Sequence, residues 1–103
     1  MNLRQAFGMV FARARKSKGL TQEEFESVSP RSYISYIERG SSSPTLEKVH
    51  ELSKVMNVHP ASLVFQAYLE FEKESSPLSL MATITADLRE IELFNSNQKI
   101  SKV

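Results

Sequence analysis

The sequence is free of cysteine and tryptophan, and it contains only three glycines and four prolines among 103 residues. Without cysteine the chain can form neither a disulfide framework nor a thiolate metal site, which fits a reducing compartment. It has no run of about 20 apolar residues that could span a bilayer, and its start, MNLRQAFGMVFARARK, lacks the pattern of a secretion signal. We therefore expect a cytoplasmic protein that makes no contact with a membrane.

Residues able to carry out catalysis are also sparse. His50 and His59 are nine residues apart, and neither has a carboxylate or a cysteine at the spacing of a metal site. No histidine is placed to act as a base for the many serines, and there is no glycine-rich loop to bind phosphate. The sequence predicts neither an enzyme nor a protein that needs a metal or another cofactor.

Charge is unevenly distributed along the chain. The net charge is only +1, but residues 1–46 carry seven basic and four acidic residues, whereas residues 47–103 carry six basic and eight acidic ones. No acidic residue precedes Glu23. This polarity favours an N-terminal half that meets a polyanion, although a solvated basic face without a partner gives the same pattern.

Apolar residues recur at helical spacing through most of the chain, which predicts an all-α fold. In the first segment Leu3, Phe7, Val10 and Phe11 form one stripe, and Gly19 ends the helix. The predicted helices cover residues 2–18, 21–27, 30–39, 45–56, 60–74 and 79–94.

A tight turn joins the second and third predicted helices. Thr21 and Glu24 have the spacing of a capping box at the start of the second helix. The sequence VSP then interrupts it. Ser29 is suited to cap the third helix, and Pro30 is suited to its first position.

The third predicted helix, RSYISYIERG, is amphipathic. Ile34 and Ile37 lie on one face and dock the helix, whereas Ser35, Tyr36 and Arg39 point away from that face. A helix face that is merely solvated more often carries lysine and glutamate. The outward side chains therefore indicate a binding partner.

The C-terminal third adds apolar surface of its own. Leu80, Ile84, Leu88 and Ile91 repeat at helical spacing and predict the sixth helix, although residues 81–85, MATIT, also fit a short strand. The polar tail after residue 95 is expected to fray.

We expect two parts in the chain: a domain over residues 1–74 and a helical extension over residues 75–103. The apolar stripe of the extension is expected to be buried against other apolar residues. It can fold back on its own domain or pair with a second chain, and we favour the homodimer because symmetric binding sites would require one.

Three motifs occur in order, GLTQEEF, YISYIERG and SPTLEKVHELSKVMNVHPASL. Over about residues 4–65 the chain thereby resembles the Cro/phage-repressor (Xre) family of helix-turn-helix regulators. The segment between Phe25 and Ile34 is about two residues shorter than the family pattern and lacks its turn glycine, so residues 28–30 must form the corner. The resemblance implies a five-helix, lambda-repressor-like DNA-binding domain followed by a C-terminal helical extension.

The resemblance also implies roles for individual residues. Gln22 corresponds to a residue that contacts backbone phosphate and braces the side chains that read bases. Glu38 corresponds to a carboxylate that pairs with a basic residue of the first helix, here Arg15. The positions that face base edges are Arg31, Ser32, Tyr33, Ser35 and Tyr36. The positions of the phosphate clamp after the third helix are Arg39, the Gly40 amide, Ser41 and Ser43.

The chemistry of these residues agrees with the implied roles but leaves alternatives. Arg31 can donate two hydrogen bonds to guanine O6 and N7, or it can anchor a phosphate. Tyr33 and Tyr36 can contact a thymine methyl group or a phosphate, but Tyr33 also borders the buried face and can serve packing. Gln22 can be a solvated residue at the start of a helix.

The expected function is a dimeric, sequence-specific transcriptional regulator that binds double-stranded DNA and represses by occluding the promoter. We expect it at the nucleoid of a bacterial or phage-type system, without a small-molecule effector. An antitoxin or a restriction-modification controller of the same fold is an alternative. A protein-interaction adaptor that keeps the fold without reading DNA is another.

Overall fold

The computed structural model describes residues 1–73 and 75–101, with side chains through residue 94. Over these residues it contains five α-helices, one short 3-10 helix and no strand, which confirms the all-α prediction. The chain divides into a first compact unit of residues 1–73 and a second unit that contains the last helix. The elements are α1 (Leu3–Ser17), the 3-10 helix (Gln22–Phe25), α2 (Arg31–Glu38), α3 (Leu46–Met56), α4 (Pro60–Glu72) and α5 (Pro77–Ser101).

Caps at the ends of α1 and α3 explain where these helices start and stop. The Asn2 side chain accepts the amide of Gln5 at 2.9 Å, and the Thr45 hydroxyl accepts the amide of Lys48 at 3.1 Å. Asn57 ends α3 in the left-handed conformation, with φ of 55°. These contacts satisfy backbone groups that a helix leaves unpaired at its ends.

The core of the first unit lies where α1, α2, α3 and α4 meet the 3-10 helix. The rings of Phe11 and Phe25 are both fully buried, with centroids 5.5 Å apart. α1 packs mainly against α4 and also against α2. It therefore contributes to the core and also holds α2 against it. The buried apolar cluster consists of Phe7, Val10, Phe11, Phe25, Ile34, Ile37, Val49, Leu52, Met56, Leu63 and Ala67.

The helix predicted over residues 21–27 is wrong in type and length, because it is a single 3-10 turn that ends at Phe25. Its backbone bonds join residues three apart: the Glu24 amide donates to the Thr21 carbonyl at 3.3 Å, and the Glu26 amide donates to the Glu23 carbonyl at 3.1 Å. The Glu24 carboxylate does reach back to the Thr21 amide, at 3.2 Å, as the capping box predicts.

α2 starts one residue later than predicted. Pro30 is its N-cap, with extended backbone at φ −61° and ψ 148°, and Arg31 is its first residue. The Pro30 carbonyl accepts the amides of Tyr33 and Ile34 at 3.0 and 3.3 Å. Ser29, the predicted cap, is instead buried at the corner.

α5 belongs to the second unit and is longer than predicted. It starts at Pro77 rather than residue 79 and continues to Ser101, past the predicted end at residue 94. Residues 81–85 are helical, so the strand alternative is wrong. The predicted frayed tail is helical up to Ser101, and residues 102 and 103 lie outside the described residues.

α4 ends at Glu72, two residues before its predicted end at residue 74. Lys73 follows it with φ of 58°, and residue 74 lies outside the described residues. Of the helices in the described ranges, none has both the length and the hydrophobicity needed to cross a membrane.

Candidate nucleic-acid interface

α2 is anchored by its inward face, as its amphipathic pattern predicts. Ile34 and Ile37 are fully buried, and Tyr33 is half-buried against the same core. Tyr33 therefore contributes to packing, which was one of its two predicted roles. An isolated helix of this length would be marginal in water, so the buried face is what holds α2 in place.

The outward face of α2 forms an open groove. The Arg39 guanidinium carbon lies 5.1 Å from the centroid of the Tyr36 ring, within the range of a cation–π contact. Tyr36 is 50% exposed, so the ring and the cation face solvent together. All the residues that line the groove are predicted site residues: Arg31, Ser32, Ser35, Tyr36 and Arg39.

Arg31 has an acidic neighbour that no local pattern in the sequence predicts. Its Nε lies 2.8 Å from a carboxylate oxygen of Glu23, and both side chains are more than half exposed. Exposed pairs of this kind contribute only about 0–1 kcal/mol. The guanidinium can therefore exchange Glu23 for another anion at low cost.

Arg15 and Glu38 form the ion pair that the family resemblance implies. Arg15 Nε and Nη2 donate to the two oxygens of Glu38 at 2.6 and 3.0 Å, and Nη1 donates to the Leu20 carbonyl at 2.8 Å. Each side chain of the pair is only 10% exposed. The hydrogen bond to Glu38 raises the pKa of Arg15, although burial acts in the opposite direction. The pair ties α1 to the end of α2.

Gln22 joins the same network. Its Nε2 donates to Oε1 of Glu38 at 3.0 Å, and the residue is half-buried. The alternative of a merely solvated helix-start residue is therefore wrong. The bond connects the start of the 3-10 helix to the last turn of α2, so Gln22 braces the helix that carries the groove.

Two glycines let α1 approach the end of α2 closely. A Cβ added at Gly8 would lie 2.2 Å from the Ile37 carbonyl oxygen and 3.0 Å from that of Glu38. Gly40, with φ of 72°, ends α2 and leaves no room for a Cβ, which would lie 2.8 Å from Gln5 Cα. The prediction that Gly40 ends the helix is confirmed. The role of Gly8 was missed, since no local pattern in the sequence marks it.

The predicted serines of the clamp do not share the groove on α2. Ser41 is exposed just after the helix, where its amide donates to the Tyr36 carbonyl at 2.9 Å. Ser43 is exposed and lines a different groove, between α1, α3 and α4, together with residues such as Leu46 and Tyr68. The structure therefore brings together five of the nine predicted site residues in the groove on α2, whereas Gln22, Tyr33, Ser41 and Ser43 do not line it.

A lysine holds the corner between the two short helices. Lys48 Nζ donates to the Val28 carbonyl at 2.7 Å and lies 3.2 Å from a carboxylate oxygen of Glu51. The contact crosses from α3 to the turn, so it fixes the corner that residues 28–30 form in place of a turn glycine. This role of Lys48 was not predicted, because no local pattern in the sequence connects it with residue 28.

The two histidines have different positions in their helices. His59 Nδ1 accepts the Ala61 amide at 3.0 Å and caps α4, while His50 is exposed on α3. Within the described ranges, no group of three or more histidine, aspartate or glutamate residues could hold a metal ion.

Comparison with known proteins connects this geometry to a family. Residues 11–63 match the family described as Helix-turn-helix, a segment that runs from α1 into α4. The uncharacterized HTH-type transcriptional regulator y4dJ of Sinorhizobium fredii is 42% identical over 66 residues, which cover 62% of this chain and 86% of that protein. Control protein C.BamHI of Bacillus amyloliquefaciens is 38% identical over 66 residues, which cover 61% of this chain and 82% of that protein.

The matched segment contains the 3-10 helix, α2 and α3 in full, together with the corner between the two short helices. It covers just over half of the chain. The chain therefore belongs to the helix-turn-helix family of transcriptional regulators, in its Cro/phage-repressor (Xre) type.

Proposed function

We propose that this protein is a sequence-specific DNA-binding regulator that places α2 in the major groove. The observation that carries the proposal is the groove on α2, where two arginines and a tyrosine lie among small serine side chains. Arginine can bind guanine through two hydrogen bonds and can also bind phosphate. Serine is short enough for base edges to come close to the helix.

Base contacts and phosphate contacts are assigned to different parts of this surface. Arg31 stands at the first position of α2, and its weak exposed pair with Glu23 leaves it free to reach a base. Arg39 and Ser41 flank the end of the helix, and we assign them to phosphates together with Ser43. Gln22 is assigned to bracing and to one phosphate contact. Ser32, Ser35 and Tyr36 complete the reading face, with the half-buried Tyr33 at its edge.

We infer further that the protein acts as a dimeric repressor, which occludes a promoter by covering two half-sites about one helical turn apart. The exposed apolar residues of α5 support this inference, because a surface of that kind needs a partner. A symmetric dimer matches the two-fold symmetry of a palindromic operator.

Selection of binding sites from random double-stranded DNA tests the proposal. The expected result is an enriched motif with two symmetric halves whose centres are about 10 base pairs apart. Absence of any binding to unselected DNA, even at low salt where phosphate contacts are strongest, would contradict the proposal and favour the adaptor alternative.

We predict that Arg31→Ala and Arg39→Ala have different effects on DNA binding. Arg31→Ala should cost about 1–3 kcal/mol at one base position and relax the preference there, because it removes a base contact. Arg39→Ala should weaken binding to all DNA sequences alike. It should also reduce the slope of log affinity against log salt concentration by about one released ion. Fluorescence anisotropy with operator variants at several salt concentrations measures both effects.

Lys54→Ala is the control for these two variants, because it also removes one exposed positive charge but does not line the groove. It should leave the preferred sequence unchanged and alter affinity less than Arg39→Ala. Equal weakening of every sequence by Arg31→Ala would make Arg31 a phosphate anchor and not a base reader.

We predict that a chain ending after residue 74 loses the dimer and keeps the DNA-binding fold. The first unit holds its own core, so circular dichroism should still show a helical, cooperatively folding protein. Sedimentation at micromolar concentration should change from dimer to monomer, and affinity for a two-half-site operator should fall. A full-length chain that already sediments as a monomer without DNA would contradict the dimer.

A second candidate function is that of a restriction-modification controller. One observation favours it: a relative that shares 38% of 66 residues is named Control protein C.BamHI. The same α2 surface would serve either role, so DNA binding alone does not separate them. Genes for a nuclease and a methyltransferase next to the coding sequence would favour the controller, and unrelated neighbours would favour a general regulator.

A further inference from the structure

The apolar side chains of α5 include a narrow seam. Met81, Ile84, Leu88 and Ile91 follow one another at spacings of three, four and three residues, which is the pattern of the core positions in a two-stranded coiled coil. They are 53%, 37%, 56% and 61% exposed, respectively. A helix of 25 residues with such a seam has the length and the pattern to pair with another helix.

The seam is complementary to itself when two copies of α5 run in opposite directions. With a two-fold axis that crosses the seam between Ile84 and Leu88, at the height of residue 86, Met81 meets the partner's Ile91, and Ile84 meets the partner's Leu88. Each seam residue then contacts an apolar residue, and each contact occurs twice by symmetry, as in an isologous interface. A second copy of the chain is therefore an occupant that fits this face.

The residues beside the seam favour the antiparallel arrangement over the parallel one. In a parallel pair, flanking contacts would place Asp87 against the partner's Glu92 on both sides of the interface, and like charges at these positions destabilise a coiled coil. In the antiparallel pair the two Asp87 residues meet once, near the axis. The same arrangement places Phe94, which is 66% exposed, against the partner's Leu80 on both sides.

We propose that α5 pairs with α5 of a second copy in antiparallel orientation, with the two-fold axis crossing the seam at the height of residue 86. This inference rests on the proposed dimeric regulator and specifies its interface. Pro77 lies nine residues from the axis in each copy, so the two helix starts are about 27 Å apart along the pair at 1.5 Å per residue. That distance is comparable with the repeat of about 34 Å between half-sites on one face of DNA.

Single engineered cysteines in the full-length chain test the orientation, because the natural sequence has no cysteine. Under mild oxidation, Met81→Cys alone and Ile91→Cys alone should stay uncrosslinked on a non-reducing gel. A mixture of the two chains should form covalent dimers from about half of the chains, the statistical share of heterodimers. The double variant with both cysteines should crosslink almost completely.

Ala82→Cys is the matched control, since this exposed position on α5 lies off the seam and should not crosslink at the same concentration. Crosslinking of each single variant with itself, without a gain on mixing, would show a parallel pair and overturn the proposal. No crosslink in the double variant, together with a monomeric full-length chain in sedimentation, would overturn it in favour of a folded-back α5.

DNA binding of the same crosslinked preparations separates this inference from the proposed function. Covalent antiparallel dimers that do not select any DNA sequence would support the pairing and contradict the proposed regulator. Selective DNA binding without the mixed crosslink would support the regulator and contradict the antiparallel pairing.

Discussion

Glu38→Ala should lower the free energy of unfolding by about 3–5 kcal/mol, because it removes one partner of a buried ion pair. The substitution leaves the Arg15 guanidinium charged, since arginine does not lose its proton at accessible pH, and that side chain is only 10% exposed. Gln22 Nε2 loses its acceptor at the same time. Small domains are stable by only about 5–15 kcal/mol, so denaturant unfolding followed by circular dichroism should show a large shift of the midpoint.

Glu23→Ala is the matched control, because it also removes a glutamate from an ion pair with arginine, but at an exposed site. It should cost only about 0–1 kcal/mol. A double variant, Arg15→Met with Glu38→Leu, should recover much of the stability lost by Glu38→Ala, since no unpaired charge stays buried. Equal losses for Glu38→Ala and Glu23→Ala would show that the buried network contributes no more than a surface pair.

Glu38→Ala also shows whether Glu38 supports the fold or reads bases in DNA. The Glu38 carboxylate points to Arg15 and Gln22 and does not line the groove on α2. If the proposed DNA binding is correct, Glu38→Ala should weaken it without changing the preferred sequence. A changed preference would place Glu38 on the surface that reads bases.

Gly8→Ala should destabilise the first unit and impair DNA binding, because the new Cβ would lie 2.2 Å from the Ile37 carbonyl oxygen. That atom belongs to the backbone of α2 and cannot rotate away, so α1 and α2 must separate. Overpacking of this kind costs about 1–3 kcal/mol or more, which outweighs the gain of up to about 1 kcal/mol from the better helix propensity of alanine. Thermal unfolding and operator affinity measure the two effects.

Gly19→Ala provides the control for Gly8→Ala. Gly19 has φ of 69°, but no atom lies within 4 Å of an added Cβ, so the substitution costs only the left-handed backbone strain of about 1–2 kcal/mol. It should therefore reduce stability while leaving the spacing of α1 and α2, and hence operator affinity at a temperature where the protein is folded, unchanged. Wild-type stability and affinity in Gly8→Ala would contradict the close contact between the two helices.

Much of the helical architecture could be predicted because its signals are local. The inward positions of Ile34 and Ile37 follow from helical periodicity, and both residues are fully buried. The end of α2 follows from Gly40, whose left-handed conformation is confirmed. The ion pair between Arg15 and Glu38 could be predicted only through the family resemblance, because the two residues lie 23 positions apart.

Predictions failed where a neighbour in space decides the local structure. The second helix is a 3-10 turn with bonds between residues three apart, and it ends at Phe25, where the chain turns toward α2. Ser43, assigned with Arg39 to the phosphate clamp, lines the groove between α1, α3 and α4, and its role stays a prediction.

The sequence by itself determined which face of each helix in the first unit is buried and, to within a few residues, where the helices end. Only the tertiary structure decided how α2 is held, through the contact of Gly8 with Ile37, the bond from Gln22 to Glu38 and the bond from Lys48 to Val28. The physical reason is the distance along the chain over which each kind of interaction acts. Periodicity and capping act over about four residues along the chain, whereas these bonds join residues 16 and 20 positions apart and depend on how the helices cross.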